Sequence, residues 1–69
     1  MTINISKVWV DENNIYIKTK QGEIRNLPIN SFKLLRNASK EELQQFEVDK
    51  FGINWPALDE DLSFEGFFK

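Results

Sequence analysis

Asp59-Glu60-Asp61 is the densest group of chemically capable side chains in the sequence. Three carboxylates together suit a hard cation such as Mg²⁺ or Ca²⁺, or acid–base work on a sugar. Neighbouring side chains diverge, however, and no second acidic set stands at calcium-loop spacing around a glycine, which excludes an EF-hand. A sugar cleft needs more scaffold than 69 residues supply. Three readings stay open for the triplet. It starts a turn or helix, favoured by the positive end of the helix dipole and by hydrogen bonds to backbone; it forms an acidic patch facing a partner; or it holds a cation.

Other chemistry is closed off by composition. With no His and no Cys there is no imidazole ligand, thiolate, disulfide or His-based triad. Ser6, Ser31, Ser39 and Ser63 lack a Ser-x-x-Lys arrangement, and three glycines make no phosphate loop. No catalytic residue, metal or cofactor is therefore expected, and neither is an enzyme.

Basic and aromatic residues raise a different possibility. Lys18, Lys20 and Arg25 flank a hairpin that carries Tyr16, with Lys33 and Arg36 further on. Such a face can stack bases. One Tyr is a thin platform and the net charge of −2 opposes phosphate binding, so nucleic acid is not expected for this domain alone. The expected reading is a solvated sheet face whose lysines protect an edge. Trp55, extended by the following Pro56, reads as a core anchor. Trp9 reads as either core or an exposed interface anchor. Residues 1–40 carry a balance of +4 and residues 41–69 one of −6. That polarity either cancels within the molecule or marks a partner-facing patch.

The elements that must position these side chains follow from patterning. Ile3 and Ile5 alternate with polar residues, then the apolar phase shifts at Ser6-Lys7 before Val8-Trp9-Val10, the trace of a bulge. Asp11–Asn14 is a turn cluster, Ile15–Thr19 alternates again, Gln21-Gly22 closes a hairpin, and Glu23–Leu27 returns. Asn30 or Ser31 is expected to cap a short helix with Phe32, Leu34 and Leu35. Ser39-Lys40-Glu41-Glu42 is a capping box, with Ala38 and Leu43 as its apolar staple. Leu43 and Phe46 face the core, and Phe46-Glu47-Val48 turns strand-like. Ser63 caps a last turn, with Glu65 near its positive end. The fold class is α+β: a small antiparallel β-meander packed against one or two short helices, a further extended segment, and a C-terminal helical turn. Residues 1–69 form a single domain. No apolar run approaches the ~20 residues of a membrane helix, and no signal core follows the N-terminus, so a cytoplasmic protein without membrane contact is expected.

The run Gly52–Phe68 resembles the closing signature of a small bacterial family, domain of unknown function 2442, whose pattern is I-H-W-P-x-L-D-E-D-[IL]-S-x-E-G-L-L. Ile53, Trp55, Pro56, Leu58, Asp59, Glu60, Asp61, Leu62, Ser63, Glu65 and Gly66 match it. Asn54 replaces the frequent His, which removes any role for an imidazole there, and Phe67-Phe68 replaces a Leu pair. The resemblance implies an α+β domain without established activity. Some members are fused to a helix-turn-helix segment, and many are encoded beside another small protein in a toxin–antitoxin-like arrangement. A non-enzymatic protein-interaction module is thus expected, antitoxin-like, binding a small partner encoded nearby or a second copy of itself. The alternative is a DNA-associated transcriptional regulator or dimerisation domain. Its candidate interaction residues are the signature positions Trp55, Pro56, Leu58, Asp59, Glu60, Asp61, Ser63, Glu65 and Gly66.

Overall fold

Two short antiparallel sheets meet through their apolar faces in a computed structural model that describes residues 4–68. Ile3 lies outside the described residues. The first sheet is a meander of β1 (Ile5–Val10), β2 (Asn14–Thr19) and β3 (Ile24–Pro28), in that order. The bulge falls where the apolar phase shifts: Ile5 pairs with Thr19 but Lys7 with Lys18, leaving Ser6 as the extra residue. The Ser6 hydroxyl turns to the carbonyl of Lys18 at 3.2 Å. Beyond the bulge Val8 and Val10 point inward beside Ile15 and Ile17. Gly22 takes a φ of +96° in the β2–β3 connection, and the buried Thr19 hydroxyl accepts the Glu23 N–H at 3.0 Å.

The helical middle departs from expectation at its start. Asn30 and Ser31 cap nothing; they lie within a 3₁₀ turn, Ile29–Ser31. The cap of α1 (Lys33–Arg36) is Phe32, whose carbonyl accepts the N–H groups of Leu35 and Arg36. Packing explains this outcome. Ile29 and Leu35 are buried, and holding both in the core fixes the chain's path whether or not a polar cap is used. Leu34 consequently points outward. At α2 (Lys40–Leu43) the capping box forms as the sequence dictates. Ser39 Oγ accepts the Glu42 N–H at 3.1 Å, and Glu42 Oε1 accepts the Ser39 N–H at 2.8 Å. Leu43 is buried and Ala38 packs beside the core.

The remaining chain builds a second sheet rather than one extended segment. β4 (Glu47–Val48), β5 (Gly52–Trp55) and β6 (Glu60–Ser63) pair antiparallel in chain order, and a 3₁₀ segment, Phe64–Phe68, closes the described chain. At Gly52 a Cβ would sit 2.0 Å from the Leu62 carbonyl oxygen, so only glycine allows β6 this close. Ile53, Trp55, Phe64 and Phe67 join Ile15, Ile17, Leu35 and Leu43 in one core. No helix among the described residues is long and apolar enough to cross a membrane.

Trp55 is completely buried and its Nε1–H donates to the Leu43 carbonyl at 3.0 Å. Trp55→Ala removes both the packing and the donor, and is expected to cost about 3–5 kcal/mol, comparable to the whole stability of so small a domain. Urea unfolding checks it. A cooperative transition with an unchanged midpoint would take Trp55 out of this role.

Candidate functional site

The signature segment builds a hairpin and the turn that closes it. Trp55, held extended ahead of Pro56, leads into a 3₁₀ turn, Pro56–Leu58, with Pro56 at its first position. Leu58 packs against the core from the edge. Asp59 then takes a left-handed backbone, φ 55° and ψ 41°, and redirects the chain into β6. A short polar side chain tolerates that conformation better than most. Glu60 pairs with Trp55, Asp61 with Asn54 and Leu62 with Ile53. Ser63 Oγ accepts the Glu65 N–H at 3.2 Å as the final segment begins, so Ser63 and Glu65 stand where a cap and an N-terminal acid belong. Nothing surrounds a Cβ built on Gly66, and the structure gives no reason for glycine there.

Asp59 therefore ends the 3₁₀ turn and Glu60-Asp61 begins a strand; of the turn-or-helix reading the helix is corrected, because the register against β5 decides this segment. Alternation sends Asp61 to the outer face with Asn54, while Glu60 is half-buried and its Oε1 accepts the Asp61 N–H at 3.0 Å. Among the described residues no three acidic side chains converge as metal ligands would.

What the segment does shape is an open hollow of about 480 Å³ on the outer side of the second sheet. Asp49, Phe51, Asn54, Asp59, Asp61 and Ser63 line it. Glu47, opposite Asn54 in the register, extends the same outer row. The β4–β5 turn is tied by Asp49, whose Oδ1 accepts the N–H groups of Phe51 at 2.8 Å and Gly52 at 2.9 Å. This turn leaves Phe51 72% exposed, with Lys50 Nζ 5.1 Å from its ring centre.

A second chemically distinct face lies on the outside of the meander. Trp9 and Tyr16 are cross-strand partners and stack, 5.2 Å between centroids and 8° between planes. Lys7 Nζ sits 5.3 Å from the Trp9 ring, and Lys18 is its strand neighbour. The Asn26 amide donates to Asn14 Oδ1 at 3.0 Å, and Ile24 is 54% exposed. Trp9 is thus outside the core. Arg25 is not part of this face: it pairs with Ile17 across β2–β3, binds the Glu23 carboxylate at 2.6 Å and lies over the Phe68 ring. Lys33 and Arg36 belong to α1, and Arg36 shares a separate depression with Asp11, Glu12 and Lys40. The Trp9–Tyr16 pairing is absent from the sequence reading, although a two-residue turn at Glu12-Asn13 places these positions opposite one another.

Asp11 fastens that turn. Its Oδ1 accepts the N–H groups of Asn13 at 2.8 Å and Asn14 at 2.7 Å, and these bonds, Asn13 first, hold its carboxyl below the ordinary carboxylate range.

Residues 5–69 match the model of the family described as "Protein of unknown function (DUF2442)", and the chain belongs to that family. The crystal structure of a protein of unknown function from Rhodospirillum rubrum ATCC 11170 has the same fold. It is 24% identical, with a TM-score of 0.81, over 99% of this chain and 87% of the other. No match is found among the curated proteins.

Two predictions follow from the local chemistry of these turns. Asp59→Gly is expected to keep or raise the urea midpoint, whereas Asp59→Val, β-branched at positive φ, loses about 1–2 kcal/mol. Equal effects would contradict the left-handed conformation. For Asp11 the folded carboxyl is depressed, so its contribution is present above the ordinary carboxylate range and is lost as pH falls through the folded value. Asp11→Ala should lower the melting temperature near neutrality, with the deficit shrinking on acidification. A deficit that grows in acid would contradict the assignment.

Proposed function

We propose that this member of the DUF2442 family is a non-enzymatic protein-interaction module of the cytoplasm, antitoxin-like, that binds a small basic protein encoded nearby. The carrying observation is the hollow of the second sheet, lined by Asp49, Asp59 and Asp61 with the exposed Phe51 at one end. An exposed aromatic ring next to a row of charged residues supplies both an interface anchor and a polar rim. Its carboxylates steer a basic partner, acting mainly on association rate, and disfavour acidic ones. Where the partner is a toxin-like enzyme, this face covers its basic substrate groove and masks it.

The disposition of polar groups supports a binding role over catalysis. Asp11, Asp49, Ser39, Glu42, Thr19 and Ser63 all serve backbone N–H groups in turns and caps. Catalysis asks for at least two groups aimed at one reacting atom. The carboxylates of the hollow instead alternate along a turn and strand.

The alternative, a DNA-associated regulator or dimerisation domain, draws on the Lys7, Lys18, Trp9 and Tyr16 face of the meander. Co-expression with the neighbouring gene product separates the two readings. Co-elution on size exclusion at micromolar concentration and low salt is expected. Phe51→Ser with Asp61→Lys should abolish it at an unchanged urea midpoint. Separate peaks, or co-elution indifferent to both substitutions, would overturn the proposal. Retention on a heparin column that disappears in moderate salt would favour the alternative.

A further inference from the structure

We infer that the outer face of the meander is a docking surface for the second-sheet hollow of another copy of this chain. Lys7 and Lys18 stand directly opposite one another across β1 and β2, an arrangement that is locally unfavourable for like charges. Among the described residues neither has a carboxylate within salt-bridge distance, and the ion pairs are Arg25–Glu23 and Lys40–Glu12. Between and beside them lie the Trp9–Tyr16 stack and the exposed Ile24. The face therefore combines uncompensated cations with apolar surface.

Its ring geometry argues for a protein occupant. One side of the Trp9 ring is taken by Tyr16, and a second cover comes from the Lys7 ammonium. These contacts reduce the Trp9 surface open to a base. What remains accessible suits an anionic face with apolar surface of its own. The hollow of the second sheet has that composition: Glu47 and Asp61 flank Asn54 on the outer row, and the exposed Phe51, with Lys50 beside its ring, stands at one end. Both faces point away from the shared core, so a single molecule cannot join them. Contact requires a second copy.

Such a contact is heterologous: the lysine face of one molecule meets the acidic face of the next, leaving the reciprocal faces free for further addition. It shares the hollow with the interaction reading above and, through that overlap, makes self-association compete with the basic partner. The lysine side is independent of that reading.

Sedimentation velocity of the full chain, from about 5 to about 500 µM at low and high salt, tests the inference. Wild type is expected to shift to larger species with concentration at low salt and to dissociate in high salt. Lys7→Glu with Lys18→Glu, and separately Glu47→Lys with Asp61→Lys, should each weaken association at least tenfold, since each sets like-charged faces together. Mixing the two variants restores opposite charges at the contact and should restore assembly. Urea midpoints near wild type verify that both variants are folded. A monomeric wild type at every concentration would overturn the inference. So would association that survives the lysine reversal, as pairing through strand edges would, or a mixture that stays monomeric. Partner co-elution is read separately with the Lys7→Glu/Lys18→Glu variant, whose hollow is untouched. Loss of self-association with retained co-elution is the expected result. If wild type self-associates as described but never co-elutes with a basic partner, only the earlier proposal fails.

Discussion

The hydrogen bond from the Trp55 indole to the Leu43 carbonyl is the contact on which the rest depends. It joins the end of β5 to the end of α2, two elements twelve residues apart, at a point that no solvent reaches. The buried carbonyl and the buried indole each need a partner, and each supplies the other's. Phe46 packs at 6.1 Å and a tilt of 57° against the same ring, closing the route between helix and sheet. With Trp55 fixed, Pro56 and Asp59 turn the chain back, and Gly52 lets β6 lie close enough to pair.

A domain this small uses many of its polar side chains to hold its turns and caps together. Ser39 and Glu42 close a helix, Asp11 and Asp49 close turns, and the Gln44 amide ties the helical segment to the Val10 carbonyl at 2.7 Å. No buried side-chain nitrogen or oxygen among the described residues lacks a partner. Two sheet faces lie outside this framework. One carries Lys7 and Lys18 beside a stacked aromatic pair, and the other carries Glu47 and Asp61 with an exposed Phe51 at its end.

The polarity of charge along the sequence acquires its meaning from this division. The basic half contributes the meander and the acidic half contributes the second sheet, so a one-dimensional imbalance becomes two separate outer faces. Charges on opposite sides of a core do not neutralise one another at contact distance. Lys40 and Glu12 do meet across the chain, at 2.9 Å, yet both are exposed, and such a pair contributes little.

Features governed by neighbours in sequence were legible from residues alone. The capping box at Ser39, the bulge at Ser6, the turn at Asp11–Asn14 and the extended, buried Trp55 all depend on a few adjacent residues or on a side-chain period. Membership of the DUF2442 family was also legible from the closing segment. Its role as a hairpin and its lock was not legible, because Asp59-Glu60-Asp61 is equally compatible with a helix start until Glu60 is paired with Trp55. The same holds for Phe32 as a cap, for the outward Trp9 and for the exposure of Phe51. Each follows from which face of a strand or turn reaches the shared core, and that choice belongs to long-range packing. Local propensities are small beside the burial of Ile15, Ile17, Leu35, Ile53 and Trp55, so the core sets which side chains remain outside to bind.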